Sequence, residues 1–251
     1  MHKPLLLLLI TCLSVKALAA DPLRFATTAN NPPFEFFNDR HEMVGFDIDL
    51  AGALCKRLQR ECVITHTSFE ILLPALEFRR YDAVISSLNI TDERRERVDF
   101  TLPYQSGSSL MAATTGRFRT IEQLKGQRVG VRNATTQQAW LNAVWPGIIV
   151  VSYDNYQNAL LDIRSNRLDG IFGDTPSVLR LLDAEPLLEK IGNPVTDSRY
   201  FGGGLAIAVR KGNSSLQAQL NAALDAMRAD GTIQALNARW LTPLNVADKQ
   251  P

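Results

Sequence analysis

Three short stretches collect hydroxyl, amide and charged groups where apolar runs end. Ser86-Ser87-Leu88-Asn89-Ile90-Thr91-Asp92-Glu93-Arg94 leaves a strand-like run and enters a helix whose N-cap is Thr91. Free backbone N–H groups gather there, with the Arg94 guanidinium one turn on. Arg94 could fork bidentately onto a carboxylate, or stand as one solvated charge of the run from Asp92 to Arg97. Asn133-Ala134-Thr135-Thr136-Gln137 follows a second run ending at Val131 and opens another helix, so the N–H groups of Thr136 and Gln137 form a second anion-binding helix start. Asp174 closes a third run, Ile171-Phe172-Gly173-Asp174, and could pair with an ammonium or cap the helix that begins near Pro176. A carboxylate reader facing an ammonium reader recognises a zwitterion, which is the chemistry of an amino-acid site.

Positioning such groups takes a scaffold that brings several strand ends together. From Leu23 onward short apolar runs alternate with amphipathic stretches. Leu23 to Thr27, Cys62 to His66, Ala83 to Ser86, Arg128 to Val131, Ile148 to Tyr153 and Leu168 to Gly173 read as strands. Ile48, Ala51, Leu54, Cys55 and Leu58 form one helical stripe, and Tyr156, Ala159, Leu160 and Ile163 another. Leu216, Leu220, Ala223, Leu224 and Met227 mark a long helix from about Ser214 to Asp230, stopped by Gly231. The pattern is that of an α/β protein with largely parallel sheets. Two Gly-rich or polar stretches, Tyr104 to Ser109 and Tyr200 to Gly204, each lead into an extended apolar run. As a double hinge they divide the chain into one lobe of residues 21–107 plus 204–251 and a second of residues 108–203, with a cleft between; as ordinary surface loops they divide nothing.

The 251 residues are 45% hydrophobic and 21% charged, inside the globular range. Residues 1–20 read as a secretory signal peptide: His2 and Lys3, an apolar run from Leu5, then Ala17-Leu18-Ala19-Ala20. The run is broken and short of the ~20 apolar residues a spanning helix needs, which speaks against an uncleaved anchor. Leu9-Ile10-Thr11-Cys12 matches a lipobox poorly, so anchoring through Cys12 is not expected. Cleavage removes Lys3 and Lys16 from a chain with 27 basic and 26 acidic side chains, leaving it close to neutral, without a field for nucleic acid or anionic lipid. Exported to the periplasm, Cys55 and Cys62 are expected to pair across a helix-to-strand turn; two free buried thiols are the other possibility. The chain has no G-x-S-x-G, P-loop, G-x-G-x-x-G, H-E-x-x-H or C-x-x-C motif, and His41 and His66 lack ligand spacing. No catalytic residue, metal or cofactor is expected.

Gly45-Phe46-Asp47-Ile48-Asp49-Leu50, continuing to Leu58, resembles the signature of family 3 periplasmic solute-binding proteins, which serve polar amino-acid ABC importers. Pro32-Pro33-Phe34, Leu73-Pro74-Ala75-Leu76, Ser86 to Arg94, Leu124-Lys125-Gly126, Asp169-Gly170, Tyr200-Phe201-Gly202 and Asp230-Gly231-Thr232 are similar as well. The likeness covers essentially the whole mature chain. The Cys55 and Cys62 pair resembles the lysine/arginine/ornithine, histidine and arginine-binding branch, where a disulfide is usual at this place. The resemblance implies a type II two-lobed fold with a two-stranded hinge, a monomer that closes on its ligand and docks on a membrane permease. It implies Arg94 and the Thr136 N–H on the α-carboxylate, aided by Ser87; Asp174 on the α-ammonium, with Ser86 and Asn89 near; Phe69 as an apolar wall; and Gln137 in the same site. By pattern alone Phe69 is as easily a core aromatic.

The departures concern the side-chain end. Cationic-ligand members place an acid at the position matched by Thr28 and an aromatic at that matched by Asn31, and a charge-assisted contact of the kind lost there is worth ~1.5–3 kcal/mol. Arg132 occupies a position that is apolar or amide-bearing in several relatives. A guanidinium there repels a cation and favours an acceptor, so the expected ligand is an amino acid with an amide, carboxylate or ureido side chain, or an opine-like conjugate. If Glu35 replaces the lost acid and Arg132 points to solvent, the branch's basic ligands return. A periplasmic dehydratase or a sensor input domain on the same fold is the alternative of another class; an enzyme would need a second acid in the cleft beside Asp174.

Overall fold

The structure is a computed structural model that describes residues 21–241; the leader, with Cys12, and the tail, with Leu244, lie outside the described residues. The chain begins with β1 (Leu23–Thr27), β2 (Asn30–Asn31), β3 (Glu35–Phe37), β4 (Met43–Val44), α1 (Phe46–Arg57), β5 (Cys62–His66), α2 (Phe69–Glu77), β6 (Ala83–Val84), α3 (Asp92–Arg97) and β7 (Val98–Phe100). Its middle gives β8 (Ser109–Thr114), β9 (Arg128–Arg132), α4 (Thr136–Val144), β10 (Ile149–Tyr153), α5 (Tyr156–Arg164), β11 (Gly170–Asp174), α6 (Thr175–Ala184) and β12 (Leu188–Val195). β13 (Ala208–Arg210), α7 (Ser214–Ala229) and α8 (Thr232–Trp240) follow.

Two five-stranded sheets result. The first runs β5-β1-β6-β13-β7 and so joins strands from both ends of the chain; the second, β10-β9-β11-β8-β12, comes entirely from its middle. In the first, β1 is parallel to β5 and β6 while β13 runs against β6 and β7. In the second, β9 is parallel to β10 and β11 while β8 runs against β11 and β12. The parallel part expected from the alternation of strands and helices is therefore three strands of each sheet. β13 and β8 each run against both of their neighbours, so β7 and β12 beyond them point the same way as the parallel strands, and β2, β3 and β4 form a small sheet of their own. Short strands without a clear apolar alternation left no pattern to read.

Each sheet is covered on both faces, as the period-2 geometry of a strand demands. Leu23 and Phe25 of β1 pack with Phe46, Leu50 and Leu54 of α1 and with Leu220 and Leu224 of α7, whereas Ala26 turns the other way onto Leu72 and Leu76 of α2. In the second sheet Val129 and Val131 meet Trp140 and Leu141 of α4, while Leu110, Ala112 and Ile171 meet Tyr156 and Ala159 of α5. Fully burying a side chain of this kind contributes about 1.5–3 kcal/mol, so these faces dominate the stability. The stripe on α7 is buried as expected. That on α1 is shifted: Phe46 and Leu50 are buried in place of Ile48, because α1 packs against its sheet and against α7 and α8 at once.

Local chemistry fixes the start of α1. The N–H groups of Phe46 and Asp47 donate to the carbonyls of Pro33 and Phe34 at 3.0 and 2.8 Å, covering two of the helix's free donors. The approach leaves no room at Gly45, where a Cβ would stand 2.3 Å from the Phe34 oxygen and φ is +130°. At the other end of α1 Cys55 is bridged to Cys62 at the start of β5, with Cα atoms 5.7 Å apart. The chain passes between the sheets before β8 and again after β12. The two passes touch: Leu205 forms bridges with both Asn89 and Gln105, and a Cβ on Gly107 would meet the Phe201 carbonyl oxygen at 2.3 Å.

Candidate functional site

The residues singled out at strand ends converge from both sheets. From the first come Thr28 just past β1, Ser86, Ser87 and Asn89 past β6, Phe69 at the start of α2, and Arg94 on α3. From the second come Arg132 at the end of β9, Thr136 and Gln137 opening α4, and Asp174 ending β11. Phe69, Ser87, Asn89, Arg94, Arg132, Thr136, Gln137 and Asp174 line one small, partly open void of about 10 Å³, together with Thr135. Thr28, Asn31 and Ser86 stand behind it, fully buried. A wider cavity of about 730 Å³ opens outside and shares the Phe69, Arg94, Thr135 and Thr136 walls.

At one end the groups suit a zwitterion. Thr91 caps α3 by accepting from the Arg94 N–H at 3.2 Å, and Arg94 Nη1 donates to the Asn89 carbonyl at 2.8 Å. The guanidinium makes no ion pair among the described residues, and burial pulls its pKa down to about 10. Thr135 caps α4, so the Thr136 N–H is one of that helix's uncovered donors. Asn89 Nδ2 donates to Thr136 Oγ1 at 3.2 Å. Asp174 makes no side-chain cap for α6; its Oδ1 accepts from Gln137 Nε2 at 2.8 Å, and burial pushes its pKa up to about 6 against the nearby charge of Arg132. Gln137 Nε2 also donates to Ser109 Oγ at 2.9 Å, so this side chain holds Asp174 in place rather than presenting a free amide.

The other end is organised by Arg132. Its side chain is not directed to solvent: the residue is 3% exposed, with Nη2 donating to Thr28 Oγ1 at 3.2 Å and to Asn30 Oδ1 at 3.0 Å. Arg132 Cζ lies 5.3 Å from the centre of the Phe69 ring, and Arg94 Cζ lies 5.6 Å from the same ring, so one aromatic face system serves two cations. Phe69 also packs against the core beneath α2, which unites its two expected roles. Arg132 Nε has no hydrogen-bond partner.

Behind Thr28 lies a layer of carboxyl groups. Glu35 Oε1 accepts from Thr28 Oγ1 at 2.8 Å and from Ser86 Oγ at 3.0 Å. Complete burial and the neighbouring Asp47 push its pKa well above the usual carboxylate range. Asp47 accepts from the Ser87 N–H at 2.6 Å and the Tyr104 hydroxyl at 3.1 Å, and burial carries its pKa up to about 7. Glu35 makes no ion pair with Arg132 among the described residues, but it lies close enough for that guanidinium to draw its pKa back down in part, and its Oε2 has no hydrogen-bond partner.

Two further hydrogen bonds join the halves: Ser177 Oγ donates to Asn31 Oδ1 at 2.9 Å, and Asn30 Nδ2 donates to the Asp154 carbonyl at 3.0 Å. Within the first half, Asn31 Nδ2 donates to Ser87 Oγ at 2.8 Å. Asn30, Ser177, Asp47, Tyr104 and Ser109 were not anticipated as parts of the site. Ser177 carried a usable signal, one helical turn beyond Asp174; Tyr104 and Ser109 carried none. His41 and His66 are exposed, and no cluster fit for a metal ion occurs among the described residues.

The chain is similar to known proteins along its length. Residues 23–243 match the model of bacterial extracellular solute-binding proteins, family 3. ABC transporter arginine-binding protein 1 of Escherichia coli K12 is 45% identical over 240 residues, 96% of this chain and 99% of that protein. The histidine-binding periplasmic protein of the same strain is 38% identical over 233 residues, 89% and 90% of the two chains. A solved arginine-specific periplasmic binding protein of Salmonella typhimurium superposes with a TM-score of 0.85 at 40% identity, covering 89% of this chain and 100% of that one. These relatives are transport binding proteins, and the structural neighbour has two lobes, matching the two sheets and their separate cores described above. The chain belongs to family 3 of the bacterial extracellular solute-binding proteins.

Proposed function

We propose that the protein captures a polar L-α-amino acid between two lobes, residues 21–107 with 204–251 and residues 108–203, and delivers it as a monomer to an ABC permease in the inner membrane. The observation that carries this is the convergence on one small void of Arg94 and Thr136 on one side and Asp174 on another, an array complementary to a carboxylate and an ammonium on one carbon. Closure by rotation about the paired passes at Gln105 and Leu205 would bury the ligand. Ser87 and Asn89 line the same space and complete its polar wall. Residues 1–20 act as a cleaved export signal and place the protein in the periplasm. Asp174 is the one acid among the residues lining that void, which favours binding over dehydration chemistry.

The side chain of the ligand presents acceptors to Arg132. The 45% identity to an arginine-binding protein supports a second reading, a basic ligand. The mature protein, unfolded and refolded to strip carried-over ligand, is to be screened by thermal shift against the L-amino acids, citrulline, ornithine and opine-like conjugates. A ligand that binds only the native state raises the melting temperature by mass action. Amides, acids or ureido compounds giving the largest shift support the Arg132 reading; arginine, lysine or ornithine giving it establishes the second; turnover of prephenate or arogenate would replace both.

A further inference from the structure

Resting on that reading, we propose that the ligand is an α-amino acid carrying a second carboxylate, which Arg132 binds while Arg94 binds the first. The charges around the small void do not balance. Arg94 and Arg132 both line it, and Asp174 is the only ionised acid that does. Arg132 has no ion-pair partner among the described residues. Its contacts are a threonine hydroxyl, an asparagine amide oxygen and an aromatic ring, all neutral, and its buried Nε has no partner. Glu35 feels the charge of Arg132 but makes no ion pair with it and does not line the void; its Oε1 accepts from Thr28 and Ser86 in a buried layer shared with Asp47, and its Oε2 has no partner.

A zwitterion with a neutral side chain adds one ammonium and one carboxylate, leaving the site with an excess positive charge on a buried guanidinium. Leaving a buried charge unpaired is strongly unfavourable. A cationic side chain adds a second excess charge beside the first. An amino dicarboxylate supplies the missing anion: its ammonium goes to Asp174 and its two carboxylates to two arginines that share one ring as neighbour. The guanidinium fork suits a bidentate carboxylate contact, and Nε is one of its donors. Arg132 is thus the specificity-determining residue of the side-chain end.

The test is isothermal titration of the refolded mature protein with L-aspartate, L-glutamate and L-2-aminoadipate, each against its neutral counterpart where one exists, L-asparagine and L-glutamine, and against L-arginine. We expect one member of the acidic series to bind at least tenfold more tightly than its amide and more tightly than arginine. In the variant Arg132→Gln the acid-over-amide ratio should fall to about one or invert, while Arg132→Lys, which keeps the charge, should retain part of it. Circular dichroism and melting temperature certify that each variant is folded; if Arg132→Gln does not fold, the wild-type series and Arg132→Lys still decide. The proposal is overturned if the amide or arginine binds wild type more tightly than every acid, or if a folded Arg132→Gln keeps the wild-type ratio. Binding of a neutral or basic amino acid in place of an acidic one overturns this inference and leaves the proposed function standing. Silence of every α-amino acid, with Arg94→Ala equally silent, removes both.

Discussion

The two ends of the candidate site are built by different means. The end proposed for the zwitterion draws on backbone features: two capped helix starts at Thr91 and Thr135, and a strand terminus at Asp174. The helix starts and the strand end are features of the fold, and Thr91, Thr135 and Asp174 are the local residues that equip them. The end proposed for the ligand side chain consists of Thr28, Asn30, Asn31 and Arg132, tied across the two halves of the chain by side-chain hydrogen bonds. Substitution there changes what is recognised without altering an element. A chain 45% identical to an arginine-binding protein can therefore keep the amino-acid class while changing the side chain it selects.

The comparison is broken most directly at the zwitterion end. Arg94→Ala should abolish binding of every ligand alike, because a carboxylate left buried without its partner costs about 3–5 kcal/mol, a loss of at least ~100-fold in affinity. Titration calorimetry with the best ligand checks this. If affinity falls for one side chain and not another, Arg94 belongs to the selective end and the division fails.

Asp174→Asn should come next. It replaces the ammonium's counter-ion with an amide and should weaken binding by about 1.5–3 kcal/mol, roughly ten- to a hundredfold. It also carries a pH signature. Burial holds Asp174 at about 6, so the carboxylate that attracts the ammonium is present above that pH and lost as the pH falls through it. Wild-type affinity should decline on acidification through about 6, and the variant should show no such decline.

Thr28→Asp sharpens the contrast from the other side. The new carboxylate would stand where Thr28 Oγ1 now accepts from Arg132, giving that guanidinium an internal partner. Preference should move from acceptor-rich side chains toward neutral ones, by about tenfold in the ratio of affinities, with the pH profile set by Asp174 unchanged. Combining it with Arg132→Ala removes the competing cation, and arginine should then become the better ligand. Unchanged selectivity in both variants would take Thr28 and Arg132 out of the site.

Legibility in the sequence follows the same division. Thr91 before an Asp-Glu pair, and the apolar runs ending at Val131 and Asp174, announce caps and strand ends because those depend on neighbours in the chain. The long stripe on α7 was equally plain. The antiparallel pairings of β7, β8, β12 and β13 were not, since they join segments distant in the chain, about a hundred residues apart between β7 and β13. In the site, resemblance pointed to Thr28 and Arg132, but that Arg132 turns inward onto Phe69 depends on packing between two sheets. Asn30 and Asp47 sat inside legible stretches, yet their roles arise from contacts with Arg132 and with Ser87 that no local pattern encodes.

The smallest expected effect concerns the layer beneath both ends. Asp47 fastens the Ser87 backbone and the Tyr104 hydroxyl, and so connects the strand-end loop that carries the site to the pass between the sheets. Burial raises it from 3.8 to about 7, so the folded protein retains a proton that the unfolded chain has already released. Its contribution to stability is therefore full at low pH and diminishes as the pH rises from 3.8 through about 7. Asp47→Asn keeps an oxygen to accept from Ser87 and Tyr104 but cannot ionise. The melting-temperature difference between variant and wild type should drift in the variant's favour by a few degrees between about pH 5 and 8, since ~1 kcal/mol moves a domain of this size by ~2–4 °C. Surface carboxylates held low by arginines, such as Asp82 and Glu77, act on both proteins equally and cancel in that difference. A constant difference across the range would mean that Asp47 is ionised throughout, and would return a negative charge to the layer behind Thr28, weakening the case that Arg132 looks to the ligand for its partner.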